Sequence, residues 1–299
     1  MSRPEESGQT ASRGTFEIVD TGRQDVTSLE PGNGATDAIE LRFDSRSVGR
    51  TVFIVCASLE LAFVLLDYHV NYGRLTDIGA LRRLTNIARE DGLASWFAST
   101  QTLLVGLTAW GLWILARARG GAVWRRAGWL LVALLFTYMA VDDGAQLHER
   151  FATVFDTWRT RGGGPAGRFP SYTWQLLFVP VFGGLGALTC LFLWLELGSR
   201  RARLLLVAAF LLFGAAVVLD FLEGLESDHP WNLYAGIVAR YDLRGFTEAR
   251  FAQPPYEALL HFSRSFEEWL EMLANTCLWT AVLGGAGVVA TDVRLRTTG

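Results

Sequence analysis

Lysine is absent from all 299 residues, so arginine is the only permanently charged basic residue. This absence excludes mechanisms that need a Schiff-base lysine or the phosphate-binding lysine of a Walker-type ATPase. Cysteine is scarce, and Cys56, Cys190 and Cys277 each fall within an apolar stretch, which favours buried small side chains over disulfides. Charged residues make up only 19% of the chain, with no basic run interleaved with aromatic residues, so we expect no nucleic-acid partner.

Hydrophobic residues make up 51% of the chain, and they are concentrated in six blocks of roughly 20 residues. Because an α-helix rises about 1.5 Å per residue, each block is long enough to cross a hydrocarbon core of about 30 Å. The sequence therefore predicts an all-α fold, a polytopic membrane helix bundle with six transmembrane helices. The predicted spans are residues 49–69, 95–116, 123–142, 173–196, 202–222 and 268–290.

The orientation of the spans follows from arginines in the short connections. Residues 117–126 and 200–203 are rich in arginine and poor in acids, which predicts that both connections are cytoplasmic. We expect a multi-pass protein of the inner (plasma) membrane, with the lipid bilayer as its surroundings and both termini in the cytoplasm. The predicted parts are a disordered cytoplasmic tail (1–47), a transmembrane domain (48–292) with outer loops 70–94, 143–172 and 223–267, and a cytoplasmic C-terminus (293–299).

Two acids lie within the first predicted span. Glu60 and Asp67 are seven residues apart, and they share one helical face with Asn71. Ionisable side chains inside a bilayer are unfavourable by several kcal/mol and usually serve a purpose. We therefore regard Glu60 and Asp67 as a candidate proton or ion relay.

Further ionisable residues gather at the outer ends of the third, fifth and sixth spans. An oxygen-rich ligand set with few histidines is typical of a hard divalent metal site rather than of structural zinc. We predict a site for a divalent metal (Fe, Mn, Zn or Ca), while an alternative is that these acids are solvated or paired with arginines in the headgroup region. The candidate ligands are Asp142, His148, Glu149, Asp220, Glu223, Glu268 and Glu271.

Three fragments carry a resemblance to known sequences. They are 89–97 (REDGLASWF), Asp142-Asp143 followed by His148-Glu149, and 267–272 (EEWLEM). Together they resemble a group of uncharacterised bacterial multi-span inner-membrane proteins. The resemblance implies the membrane topology and the choice of site residues, and it implies no particular reaction.

Three functions are compatible with these observations. The first is a metal-dependent membrane enzyme that acts on a lipid or other amphiphile at an outward-facing carboxylate and histidine site. The second is a cation- or proton-coupled transporter or channel, in which Glu60 and Asp67 relay the ion. The third is a non-catalytic membrane subunit.

Overall fold

The computed structural model describes residues 16–18, 38–41, 45–161, 170–286 and 293–297. The chain divides into two units, a small one formed by Met1–Asp44 with Ala290–Gly299 and a large one formed by Ser45–Val289. In the small unit, β1 (Phe16–Ile18), β2 (Ala38–Leu41) and β3 (Val293–Thr297) form an antiparallel sheet in the order β1-β3-β2. Residues 45–47 of the predicted tail begin the first helix of the large unit, and the rest of the tail lies outside the described residues.

The large unit is helical throughout its described residues. A π-helical turn, Asp67–Tyr72, continues directly from the first helix. The helices are α1 (Ser45–Leu66), α2 (Gly79–Thr85), α3 (Leu93–Ala118), α4 (Val123–Ala145), α5 (Leu147–Arg161), α6 (Thr173–Glu196), α7 (Arg200–Glu223), α8 (Leu233–Arg240), α9 (Arg244–Phe251) and α10 (Pro255–Ala286).

Five helical segments of the described chain are long and apolar enough to cross a membrane. They coincide with the first five predicted spans and extend most of them by a few residues. The predicted sixth span, 268–290, lies in the second half of α10 and runs past the last described residue of that helix. The helical fold is confirmed, and five of the predicted spans coincide with helices that are long and apolar enough to cross a membrane. The count of six stays a prediction. The five segments are Arg46–Tyr72, Leu93–Ala118, Val123–Ala145, Thr173–Glu196 and Arg200–Glu223.

Helix α10 is the organising element, because it packs against α1, α3 and α7. Small residues at the helix contacts, among them Ala109, Ala209 and Ala281, are fully buried and let the backbones approach closely. Between α4 and α6, Gly128 lies directly against the ring of Phe192, which itself packs edge-on against Trp129. Helices α4, α7 and α10 also carry the polar residues considered next.

Candidate functional site

The turn after α4 holds a histidine in a defined orientation. Gln146 adopts a left-handed backbone conformation (φ 54°), which ends α4 and turns the chain into α5. As a result, the backbone N–H of His148 donates to Asp142 Oδ1 (2.9 Å), and its ring Nδ1 lies 3.0 Å from Asp142 Oδ2. When Nδ1 carries the proton in this contact, Nε2 is left to accept a proton or to bind a metal.

Charges around His148 alter two pKa values outside the spans. Burial lowers the pKa of His148, but the hydrogen bond and charge of Asp142, together with Glu149 and Glu90, outweigh burial, so the pKa lies above its usual 6.5. The pKa of Glu90 is raised, mainly by burial and then by the nearby charges of Glu149 and Asp143. The negative charge of neighbouring carboxylates therefore contributes to the raised pKa of both groups.

That excess extends to two further helices. On α10, Glu271 interacts electrostatically with Asp143, Asp220 and His148. Its neighbour Glu268 interacts with Asp143, Glu90 and Glu223. The linked side chains are called the acid cluster below: Glu90, Asp142, Asp143, His148, Glu149, Asp220, Glu223, Glu267, Glu268 and Glu271.

The structure thus brings all seven predicted ligands into one electrostatically linked group. It also adds Glu90, Asp143 and Glu267, which were not among the predicted ligands. Asp143 directly follows a predicted ligand in the sequence, and the hydroxyl of Ser99 on α3 donates to its carboxylate. Glu90 lies in the connection before α3, and helical spacing does not connect it to acids that are more than fifty residues away, although it falls within the fragment 89–97 that carries the resemblance.

Several oxygens in and around the cluster lack a donor. The Gln175 side-chain amide donates to Asp220 Oδ2 (2.6 Å), while its own Oε1 has no hydrogen-bond partner among the described residues. Arg264 Nε and the Tyr172 hydroxyl donate to Glu223 Oε1, while no donor in the described part of the chain reaches the buried Glu223 Oε2. Buried acceptors without a donor are unfavourable by about 1–3 kcal/mol each, so these oxygens are suited to bind a cation.

The cluster is strongly unbalanced in charge. Nine of its ten members are carboxyl groups, and within the described residues its only direct ion pairs are those of Asp142 with His148 and of Glu223 with Arg264. Each ionised carboxyl group disfavours ionisation of its neighbours, so a bound cation would stabilise the charged form of this cluster. Among the described residues, no three His, Cys, Asp or Glu side chains are already arranged as metal ligands, and the metal site stays a prediction.

A second polar centre surrounds Glu60, near the middle of the first span. Glu60 is fully buried (0% exposed), and its Oε1 accepts hydrogen bonds from the Gln101 amide on α3 (2.9 Å) and the Thr276 hydroxyl on α10 (2.5 Å). Gln101 also donates to Thr276 Oγ1 (2.8 Å). Glu60 Oε2 has no partner among the described residues.

A third polar centre lies on the π-helical turn. Asp67 accepts hydrogen bonds from Asn71 Nδ2 (2.8 Å) and Ser265 Oγ (2.9 Å), and its Oδ2 is 2.8 Å from His261 Nε2. The ring of Tyr72 stacks on His261 with 3.7 Å between centroids. His261 and Ser265 were not among the predicted site residues, because their pairing with Asp67 spans nearly two hundred residues of sequence.

The two relay candidates belong to separate centres in this structure. Phe63 and Val64 lie between Glu60 and Asp67 on α1, and both pack against a buried apolar cluster that includes Met272 and Ala98. The hydrogen-bonding partners of Glu60 and Asp67 do not overlap. A relay between Glu60 and Asp67 stays a prediction, and it would require this apolar layer to open.

Comparison with known proteins adds a family and no activity. Residues 51–284 match a family described as "Domain of unknown function (DUF8692)". The match covers α2 to α9 entirely, residues 51–66 of α1 and all but the last two residues of α10, so it includes all three polar centres. No curated protein and no solved structure matches the chain.

Proposed function

We infer that this chain, which belongs to the DUF8692 family, is a six-span membrane protein that binds a divalent metal ion in its acid cluster. The site would open on the non-cytoplasmic side and serve an enzyme that acts on a lipid or other amphiphile. The observation that carries this proposal is the electrostatic linkage of nine carboxyl groups and one oriented histidine, which come from α4, α5, α7, α10 and the connection before α3.

The chemistry of these side chains supports a metal ion. Carboxylates from different helices, with His148 held by Asp142, resemble the mixed oxygen and nitrogen ligand sets that bind Fe and Mn in helical bundles. Glu268, Glu271 and His148 are the side chains we expect to bind the ion, and Asp142 would hold the imidazole in position. A bound metal would supply an activated water, and a neighbouring free carboxylate would accept its proton.

The opposite end of the bundle supports the proposed orientation. There Arg117 lies over the Trp113 ring (5.7 Å) and Arg203 over the Trp194 ring (5.2 Å). Arginine and tryptophan together are typical of a cytoplasmic interface, where basic residues are retained and aromatic rings lie at headgroup level. The acid cluster, at the other end of the same helices, would then face outward.

Elemental analysis tests the proposal. We expect the detergent-purified protein, prepared without chelators, to contain close to one equivalent of Fe, Mn, Zn or Ca. The variant Glu268→Gln/Glu271→Gln should lose it while retaining the helical signal in circular dichroism. A metal content that is negligible in the parent, or equal in parent and folded variant, would contradict the proposal.

A second candidate, cation- or proton-coupled transport, is favoured by one observation. Glu60 is fully buried within a spanning helix, with one carboxyl oxygen unpartnered among the described residues, and acids at such depth are typical of ion pathways. Transport predicts ion-driven flux in proteoliposomes that Glu60→Gln abolishes. Flux that is absent, or unchanged by this substitution, would exclude this role for Glu60.

A further inference from the structure

An open groove of about 510 Å³ lies beside the acidic end of α7. It is formed by the last turn of α7, the segment before α8, and α8 itself. Most of its lining is apolar or aromatic, and among the described lining residues Arg240 is the only charged one. The lining residues are Leu222, Pro230, Trp231, Asn232, Leu233, Gly236, Ile237, Arg240 and Tyr241.

The groove lies at the end of a helix that is long and apolar enough to span a membrane. Leu222 belongs to the last turn of a segment apolar enough to span a membrane, Arg200–Glu223. The groove therefore lies at the level where hydrocarbon gives way to headgroups. Tryptophan and tyrosine are enriched at this level, and Trp231 (68% exposed) and Tyr241 (58% exposed) both line the groove.

The exposed apolar surface around α8 has no covering element in the described structure. Leu233, on the first turn of α8, is 49% exposed, although the neighbouring Tyr234 is buried and hydrogen-bonded to Ser263. Asn232 caps α8, because its side-chain oxygen accepts a hydrogen bond from the Ala235 backbone N–H (2.8 Å). Its side-chain Nδ2 donates to Leu225 O (3.0 Å). These hydrogen bonds fix the start of α8 beside the groove, and the apolar wall of the groove is exposed.

The positive charge of Arg240 indicates which kind of ligand the groove can bind. Arg240 ends α8, and within the described residues it forms no ion pair, unlike Arg244 on the next helix, which lies 3.8 Å from Glu248. An arginine at an apolar groove suits a ligand with a phosphate and a hydrocarbon part, because guanidinium binds phosphate through paired hydrogen bonds.

We propose that this groove is a binding site for an anionic membrane phospholipid, with the phosphate at Arg240 and an acyl chain along Leu222, Leu233 and Ile237. The site is separate from the acid cluster and needs no metal. It would retain one lipid at the outer end of α7, next to Glu223 of the cluster.

Binding can be measured on the full-length protein after delipidation in detergent. The probes are short-chain phosphatidylglycerol, short-chain phosphatidylcholine and inorganic phosphate, each titrated while bound ligand is counted by native mass spectrometry. We expect phosphatidylglycerol to bind more tightly than phosphatidylcholine, and inorganic phosphate to bind at least tenfold more weakly than phosphatidylglycerol. Arg240→Gln should weaken phosphatidylglycerol binding by about tenfold, as expected for the loss of one charge-assisted contact.

Two further variants separate this site from general lipid adhesion. Arg244→Gln removes another exposed arginine, four residues away, and it should leave phosphatidylglycerol binding unchanged. Trp231→Ala should weaken both lipids to a similar extent, because it removes apolar surface and no charge. The proposal would be overturned if Arg240→Gln left phosphatidylglycerol affinity unchanged, or if the two arginine variants lost the same affinity. It would also be overturned if the two lipids bound equally tightly, or if inorganic phosphate bound as tightly as phosphatidylglycerol.

Discussion

At the scale of single residues, Glu60 combines complete burial with partners from two other helices. The sequence indicates that this acid lies deep in a span, because the hydrophobic block around it is unbroken. It cannot identify Gln101 and Thr276, because those contacts join α1 to α3 and α10 across 41 and 216 residues. The position of Glu60 along its hydrophobic block can be read from the neighbouring sequence. Its hydrogen-bond partners cannot, because they depend on how distant helices pack.

The Glu60 centre makes a prediction about stability. Glu60→Ala leaves the Gln101 amide and the Thr276 hydroxyl without their acceptor, so we expect a loss of about 1–3 kcal/mol for each unpaired group. Glu60→Gln keeps an acceptor oxygen and should lose much less. Thermal unfolding in detergent measures the stability of both variants. Leu59→Ala, at the exposed neighbouring position, is the control and should change the stability little. Equal destabilisation by Ala and Gln would show that the hydrogen bonds are not what stabilises this centre.

His148 makes a prediction about pH. Its pKa in the folded protein is raised above 6.5, mainly because the partnership with Asp142 outweighs burial. A raised folded pKa means that the stabilisation is fully present below about pH 6.5 and is lost as the pH rises through the folded value. The Tm difference between the parent and His148→Gln should therefore be largest at about pH 6 and smaller at about pH 9. A difference that stays constant, or grows with pH, would contradict the assigned shift.

At the scale of elements, hydrophobic block length predicts the spans well and says little about the loops between them. Helices α2, α5, α8 and α9 lie in the predicted outer loops and were not expected, because α2, α8 and α9 have only seven or eight residues and α5 is rich in polar residues. The π-helical turn is also invisible to a pattern that assumes 3.6 residues per turn. It ends the first span and places Asp67 against His261.

Contact between α4 and α6 is open to a direct test. A Cβ on Gly128 would lie 2.1 Å from the Phe192 ring, which is buried against Trp129 and has little freedom to move. Gly128→Ala should therefore destabilise the protein by about 1–3 kcal/mol. Gly111→Ala, at a helix position with no atom within 4 Å, should be neutral in the same thermal unfolding assay. Equal behaviour of the two variants would mean that α4 and α6 do not meet at Gly128.

At the scale of the whole molecule, the sequence predicts the bundle and the gathering of acids at one end of it. It does not predict which acids are electrostatically linked, because the distances between acids depend on how the helices pack in three dimensions. Glu90 illustrates the limit, since it joins the acid cluster from a connection with no helical pattern. The side on which this end lies follows only from the distribution of arginines.

Topology can be measured with reporters fused to truncated chains. A reporter after Gly120, between α3 and α4, should read as cytoplasmic, because this connection carries arginines without acids. A reporter after Asp228, beyond α7, should read as non-cytoplasmic. The reverse result would place the acid cluster on the cytoplasmic side.

The central claim, that the acid cluster binds a divalent cation, is tested most directly by thermal unfolding of metal-stripped protein titrated with Mn²⁺ or Ca²⁺ at constant ionic strength. Binding to the folded state alone should raise stability by about 2.7 kcal/mol at a hundredfold excess over Kd. We predict a saturable rise in Tm for the parent that is lost in Glu268→Gln/Glu271→Gln. No rise in the parent, or the same rise in both proteins, would contradict the claim.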